Sequence, residues 1–90
     1  MSEVDCSAYD HISTDTVLKD LEAYRRELPA VRDLASGYRS VAKALLVMRM
    51  DSERKITLNK KDYWEGELST HAKMIDLLES IIAYREANHE

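Results

Sequence analysis

The chain has 90 residues, a length that fits one small domain. Hydrophobic residues make up 44% of it, charged residues 33%, and the net charge is −4, so its composition is that of a folding chain and not of a disordered one. The chain has two Gly and one Pro, which are too few turn-forming residues for a β-sandwich or barrel, and it has no Phe. The modest charge favours neither a strongly basic nucleic-acid binder nor an acidic DNA mimic.

The sequence also predicts a compartment. No apolar run approaches the ~18 residues that span a bilayer, and the acidic residues 1–5 lack the apolar core of a secretory signal. Cys6 is the single cysteine and cannot form an intramolecular disulfide. We therefore expect the protein in the cytoplasm of a cell or of an infected host.

A first helix is predicted for residues 13–50, after a polar lead segment 1–12. Ser13 is a good N-cap, with Ile12 and Val17 in the positions of a hydrophobic staple. Apolar residues then recur at alternating steps of four and three, which is a heptad seam. The seam comprises Val17, Leu21, Tyr24, Leu28, Val31, Ala35, Tyr38, Ala42 and Leu45. Leu34, Val41 and Met48 widen it, as in a helical bundle.

Pro29 leaves two possibilities for this helix. An interior proline removes one hydrogen bond and costs about 3 kcal/mol, so a break here would give a three-helix chain. However, the heptad phase runs through Pro29 undisturbed, and no other turn residue adjoins it. The sequence therefore favours a kinked but continuous helix.

A second helix is predicted for residues 59–88. Asn59 and Asp62 resemble a capping box, flanked by Leu58 and Tyr63 as a staple. The seam that follows comprises Trp64, Leu68, His71, Ile75, Leu78 and Ile82. Residues 51–58 would then be the connection, in which residues 55–58 alternate as in a short strand.

These elements predict an all-α, antiparallel helical hairpin that dimerises into a four-helix bundle. Two such rods leave one side of each wide apolar stripe exposed. A second helix that starts near residue 59 would reach back only to about Glu22. The first turns of helix one would then need a second copy, so we expect a dimer interface at Val17, Leu21, Tyr24 and Leu28.

The charges are unevenly distributed along the chain. Residues 39–61 contain seven Lys and Arg against two acids, for a net +5, whereas residues 1–22 and 62–90 each carry −5. A hairpin places the basic segment at its tip, where it can attract an acidic protein or a nucleic-acid backbone. The candidate partner-binding residues are Arg49, Arg54, Lys55, Lys60 and Lys61.

No catalytic, cofactor-binding or metal-binding motif is recognisable, so none of these residue classes is assigned. His71 lies on the seam and is expected to be a core histidine with a polar partner. Trp64 is expected to pack near Leu45 and Leu46.

Two known helical classes provide alternatives. All-helical chorismate mutases have a similar length, and Arg32, Lys43 and Arg54 could supply their pocket cations, but Asp51-Ser52-Glu53-Arg54 departs from that family's pattern. Residues 55–59 resemble the opening strand of a ribbon-helix-helix module, although the seam that follows has no turn.

The preferred hypothesis is a non-catalytic interaction protein that occupies a surface on another macromolecule, as an adaptor, an inhibitor or a chaperone-like protein. Small accessory proteins of phages and plasmids are often of this kind. A nucleic-acid-binding regulator that uses the basic tip is the first alternative, and a small enzyme of the chorismate-mutase type is the second.

Overall fold

The computed structural model describes residues 5–88, which form a long helical hairpin. A 3-10 helix, Cys6–Tyr9, precedes α1, Thr14–Met48, and α2, Asp51–Ala87, and no strand occurs within residues 5–88. The rod has extents of 62 × 27 × 17 Å and a radius of gyration of 18.1 Å. The predicted all-α antiparallel hairpin is therefore confirmed.

Helix α1 begins as its sequence predicts and runs without interruption through Pro29. The hydroxyl of Ser13 accepts a hydrogen bond from the Thr16 amide at 3.1 Å, and Asp15 adds negative charge to the first turn. Pro29 lies on the exposed side of α1, where water can bind the carbonyl that loses its helical partner. The three-helix alternative is wrong.

The connection between the helices is two residues long, not eight. Arg49 ends α1 in the left-handed conformation, at φ 58°. The Met50 amide donates to the Leu45 carbonyl at 3.1 Å, which is the long hydrogen bond of a Schellman turn. Asp51 then starts α2. Residues 51–58 are therefore helical, and the prediction of an extended connection with helix two starting at residue 59 is wrong.

The extra turns of α2 correct the predicted dimer interface. Helix α2 has 37 residues and reaches Thr14, whose hydroxyl accepts a hydrogen bond from Arg85 at 2.9 Å. Val17 is fully buried and Leu21 is 5% exposed, both in one cluster with residues of α2. The expectation that Leu21 needs a second copy for its burial is wrong, because α2 already covers it. Tyr24 and Leu28 are half-buried in the same seam.

The core is concentrated at the end of the hairpin that holds the termini. We call residues 5–30 and 71–88 the terminal half and residues 31–70 the tip half. The terminal half contains the cluster of Val17, Leu21, Leu78 and Ile81, against which Cys6, Tyr9 and Ile12 of the lead segment pack. In the tip half, α1 buries only Val31, Ala35 and Ala42, and α2 buries no residue between 51 and 70. The tip half therefore lacks a core of large side chains.

Candidate functional site

A buried polar contact joins the two helices near their middle. The His71 ring is 6% exposed and lies edge-on to Tyr24, at 5.1 Å between ring centroids. Nδ1 faces the Glu67 carbonyl at 2.8 Å, and Nε2 faces a Glu27 carboxylate oxygen at 3.0 Å. Both partners are acceptors, so the ring makes both contacts only when each nitrogen carries a proton. The expectation of a core histidine with a polar partner is confirmed.

The same contacts raise the pKa of His71 above its ordinary 6.5. The Glu27 carboxylate contributes most and the Glu67 carbonyl less, while burial acts in the opposite direction. Tyr24 and Glu27 face the imidazole from α1, and Glu67 faces it from α2. His71 therefore joins α1 to α2 through both nitrogens only when its imidazole is protonated. We call the contact between His71 and Glu27 the clasp.

Ion pairs between side chains of α1 and α2 lie along one broad face of the hairpin, which we call the charged face. Arg25 pairs with Glu79, and the Arg39 Nε donates to Glu65 at 2.9 Å. The Lys61 ammonium contacts the other oxygen of Glu65 at 3.1 Å. These cations hold the pKa of Glu65 below its usual range. Cross-helix charges on this face are therefore already matched.

The five predicted cations do not form one cluster. Arg49 and Lys55 are exposed beside the turn. Lys60 and Lys61, by contrast, lie about 14 Å from the turn, because the residues that precede them are helical. Lys60 lies over the Tyr38 ring at 5.8 Å from its centroid, and Lys61 is engaged by Glu65.

Arg54 differs from its neighbours in the predicted group. Its guanidinium lies 3.7 Å from Asp51, and its Nε is buried without a hydrogen-bond partner among residues 5–88. The basic segment is therefore a mixture of exposed, paired and partly buried cations.

Two other predicted arrangements are not formed. Trp64 is half-buried and lies one helical turn beyond Lys60, which covers the Tyr38 ring, so Trp64 is farther from the tip than Tyr38. The expectation that Trp64 packs near Leu45 and Leu46 is therefore wrong, because the short connection shifts the register. Arg32 and Arg54 lie at levels about 18 Å apart along the hairpin, so the structure does not bring them together in one pocket.

The opposite broad face is apolar in the tip half, and we call it the open face. Helical periodicity places Leu34 and Val41 of α1 on it together with Ile56 and Tyr63 of α2. Their exposed fractions are 41%, 48%, 59% and 59%. Leu34 and Val41 also line a shallow groove with Asp33, Gly37 and Tyr38. The sequence did signal this face, through the row of Leu34, Val41 and Met48 that widens the seam.

The turn itself carries a second exposed apolar group, which we call the tip surface. It comprises Leu46, Val47, Met48 and Met50. Val47 is 77% exposed, and Met48 and Leu46 are more than half exposed. Eight of the ten exposed large apolar residues of the described chain lie in the tip half, so the exposure is regional and not scattered.

Residues 5–88 contain neither a cluster of metal ligands nor a membrane-spanning stretch. No group of three or more His, Cys, Asp or Glu side chains there is arranged to hold a metal ion. Neither helix in that range has a stretch long and apolar enough to cross a bilayer. Comparison with protein-family models, with curated proteins and with solved structures found no match to this chain. Function is therefore inferred from the surface of the hairpin.

Proposed function

We propose that this chain is a non-catalytic adaptor or inhibitor that binds another protein through the tip surface. The cytoplasm, where the free thiol of Cys6 stays reduced, is the proposed location. The observation that carries the proposal is the group of Leu46, Val47, Met48 and Met50, which are exposed around a two-residue turn.

The exposed side chains of the tip surface contribute little to the stability of the hairpin itself. A soluble monomer rarely exposes a contiguous apolar patch unless another molecule covers it. Methionine suits such a surface, since its flexible side chain adapts to the shape of a partner. Val47 at 77% exposure contributes almost nothing to the hairpin and is available for a partner.

The charges beside the tip surface indicate the chemistry of the partner. Arg49 and Lys55 are exposed, and neither has a salt-bridge partner among residues 5–88. Apolar contact surrounded by unpaired cations suits a protein surface with an apolar centre and an acidic rim. The cations would raise the association rate, and added salt would reduce that effect.

The test compares two surfaces on the same helix. We would change Leu46 and Val47 together to Ser, and as a matched control change Leu18 to Ser, which is 48% exposed at the opposite end of α1. Both variants should keep the helicity of the wild type, because all three residues are exposed. Proteins retained from a lysate of the native host are then identified for each immobilised form.

The proposal requires a protein retained by the wild type and by Leu18→Ser but lost by the Leu46→Ser, Val47→Ser variant. Equal retention by all three forms would contradict it. Nuclease treatment separates the nucleic-acid alternative: if retention disappears when nucleic acid is digested, the tip recognises a phosphate backbone and the protein-binding proposal is wrong.

A further inference from the structure

We propose that a second copy of this chain covers the open face of the tip half and completes a four-helix bundle. The two hairpins would lie antiparallel, with a two-fold axis that passes near the level of Tyr38 and Lys60. The inference does not rest on the proposed function, because Leu46 and Val47, which the test of that function changes, lie on other sides of α1 than Leu34 and Val41.

The first support is that the chain covers the same broad face in its terminal half. Helical periodicity places Ile81 on the open face, and Ile81 is 1% exposed. Cys6, Tyr9 and Ile12 of the lead segment pack against the cluster that contains Ile81. The lead segment ends where α1 starts, so no described segment covers the tip half. The two helices of a second copy would cover the open face of the tip half and complete a four-helix bundle.

The distribution of charge along the hairpin favours one orientation of the second copy. Residues 39–61 carry a net +5, whereas both terminal segments carry −5. A dimer with both tips at the same end would bring the two basic segments together, and these would repel each other. An antiparallel dimer instead places each basic tip beside residues 27–38 and 62–71 of the other copy, which together carry a net −4.

The register supports the same arrangement residue by residue. Because Lys60 lies over Tyr38, these two residues mark one level of the hairpin. A two-fold axis at this level brings Arg49 level with Glu27 of the second copy. Helical periodicity places Glu27 on the open face, so Arg49, which has no salt-bridge partner among residues 5–88, meets an acid of the second copy.

The expected contact area is adequate for a dimer. The overlap extends from one tip to the other, which is about 22 helical residues or about 35 Å. Two helices side by side are roughly 20 Å wide. The product is roughly 700 Å² for each copy, close to the about 800 Å² that each partner buries in a stable complex.

Gly37 provides a sharp probe of this contact. A Cβ added at Gly37 would meet nothing within 4 Å in the single hairpin, and its φ is not positive. A larger residue would therefore fit the monomer, while it would intrude on a second copy. Ser36 is the matched control, because it is also exposed and adjoins Gly37, but helical periodicity places it on the charged-face side of α1 with Arg25.

The first experiment is sedimentation equilibrium at low salt on the full chain, with Gly37→Gln and Ser36→Gln. The wild type should sediment as a dimer of the 10.4 kDa chain at tens of micromolar. Gly37→Gln should raise the dissociation constant by about tenfold or more, the effect of a lost close contact. Ser36→Gln should leave it within about twofold. A wild type that stays monomeric, or equal effects of the two variants, would overturn the proposal.

The second experiment tests the direction. Arg49→Glu and Glu27→Arg should each weaken the dimer at low salt, and the double variant should restore it, because the swapped charges meet again across the axis. Loss in the double variant as large as the sum of the single losses would overturn the register. Spin labels at Lys19→Cys in a Cys6→Ser background should lie roughly 55–60 Å apart along the axis. A separation under about 30 Å would mean that both tips lie at one end, which would overturn the antiparallel arrangement.

Discussion

The clasp between His71 and Glu27 should make the stability of the hairpin depend on pH near neutrality. The perturbation is Glu27→Gln, which keeps the size of the side chain and removes its charge. In the wild type the imidazolium donates to a carboxylate, and such charge-assisted hydrogen bonds contribute about 1.5–3 kcal/mol. Glu27 is 63% exposed, so solvent reduces this contribution to about 1–2 kcal/mol.

The sign follows from the raised pKa of His71. The folded state binds the proton more tightly than the unfolded state, so the contribution is complete below the ordinary value of 6.5. It is lost as the pH rises through the raised pKa of the folded state. The wild-type free energy of unfolding should therefore fall by about 1–2 kcal/mol between pH 6 and pH 9.

Glu27→Gln should remove this dependence, because the amide of Gln can donate to a neutral imidazole. The variant should be less stable than the wild type at pH 6 and at least equally stable at pH 9. Urea unfolding at one low protein concentration measures both curves. Glu22→Gln is the control, since Glu22 forms an exposed pair with Arg26 and contacts no histidine. Parallel curves for the wild type and Glu27→Gln would refute the reasoning.

Two further predictions concern the core and the turn. Leu21→Ala should lower the free energy of unfolding by about 2–4 kcal/mol, because it opens a cavity beside Leu78 and Ile81. A loss below about 1 kcal/mol in urea unfolding would contradict the burial of Leu21 in the hairpin. Arg49→Gly should raise the midpoint of thermal unfolding, with a gain of about 1 kcal/mol, because glycine adopts the positive φ without steric cost. Arg49→Ala lacks this relief, so an equal gain from Arg49→Ala would contradict the explanation.

The helices were predictable because their signals are long and periodic. Ser13 and the seam from Val17 to Leu45 specify α1 to within two residues. The turn was not predictable, since no glycine marks it and an arginine adopts the left-handed conformation instead. A plausible capping box at Asn59 then competed with Asp51 as the start of helix two. Helical contacts along residues 51–58 prevailed over that local signal.

The misplaced turn accounts for most of what the sequence did not predict about the candidate sites. Eight additional helical residues carry α2 back to Thr14, which buries Leu21 inside one chain and moves Lys60 away from the tip. His71 was predictable as a seam residue, but its partner Glu27 depends on the register between the helices. The exposed tip surface could not be predicted either, because periodicity identifies an apolar stripe and does not show which part of it is covered.

The concentration of the core at the terminal half has a consequence for the order of folding. The best-buried cluster joins Val17 and Leu21 to Leu78 and Ile81, about sixty positions later in the chain. Each doubling of the loop that such a contact closes costs about 0.6 kcal/mol in entropy. Contacts beside the turn close short loops, yet every large side chain there stays partly exposed, so these contacts offset little of that cost. We therefore expect that the helix–helix contacts do not form one after another starting at the turn. The rate-limiting step should be the encounter between the two chain ends, and folding should be slow for a helical protein of this size.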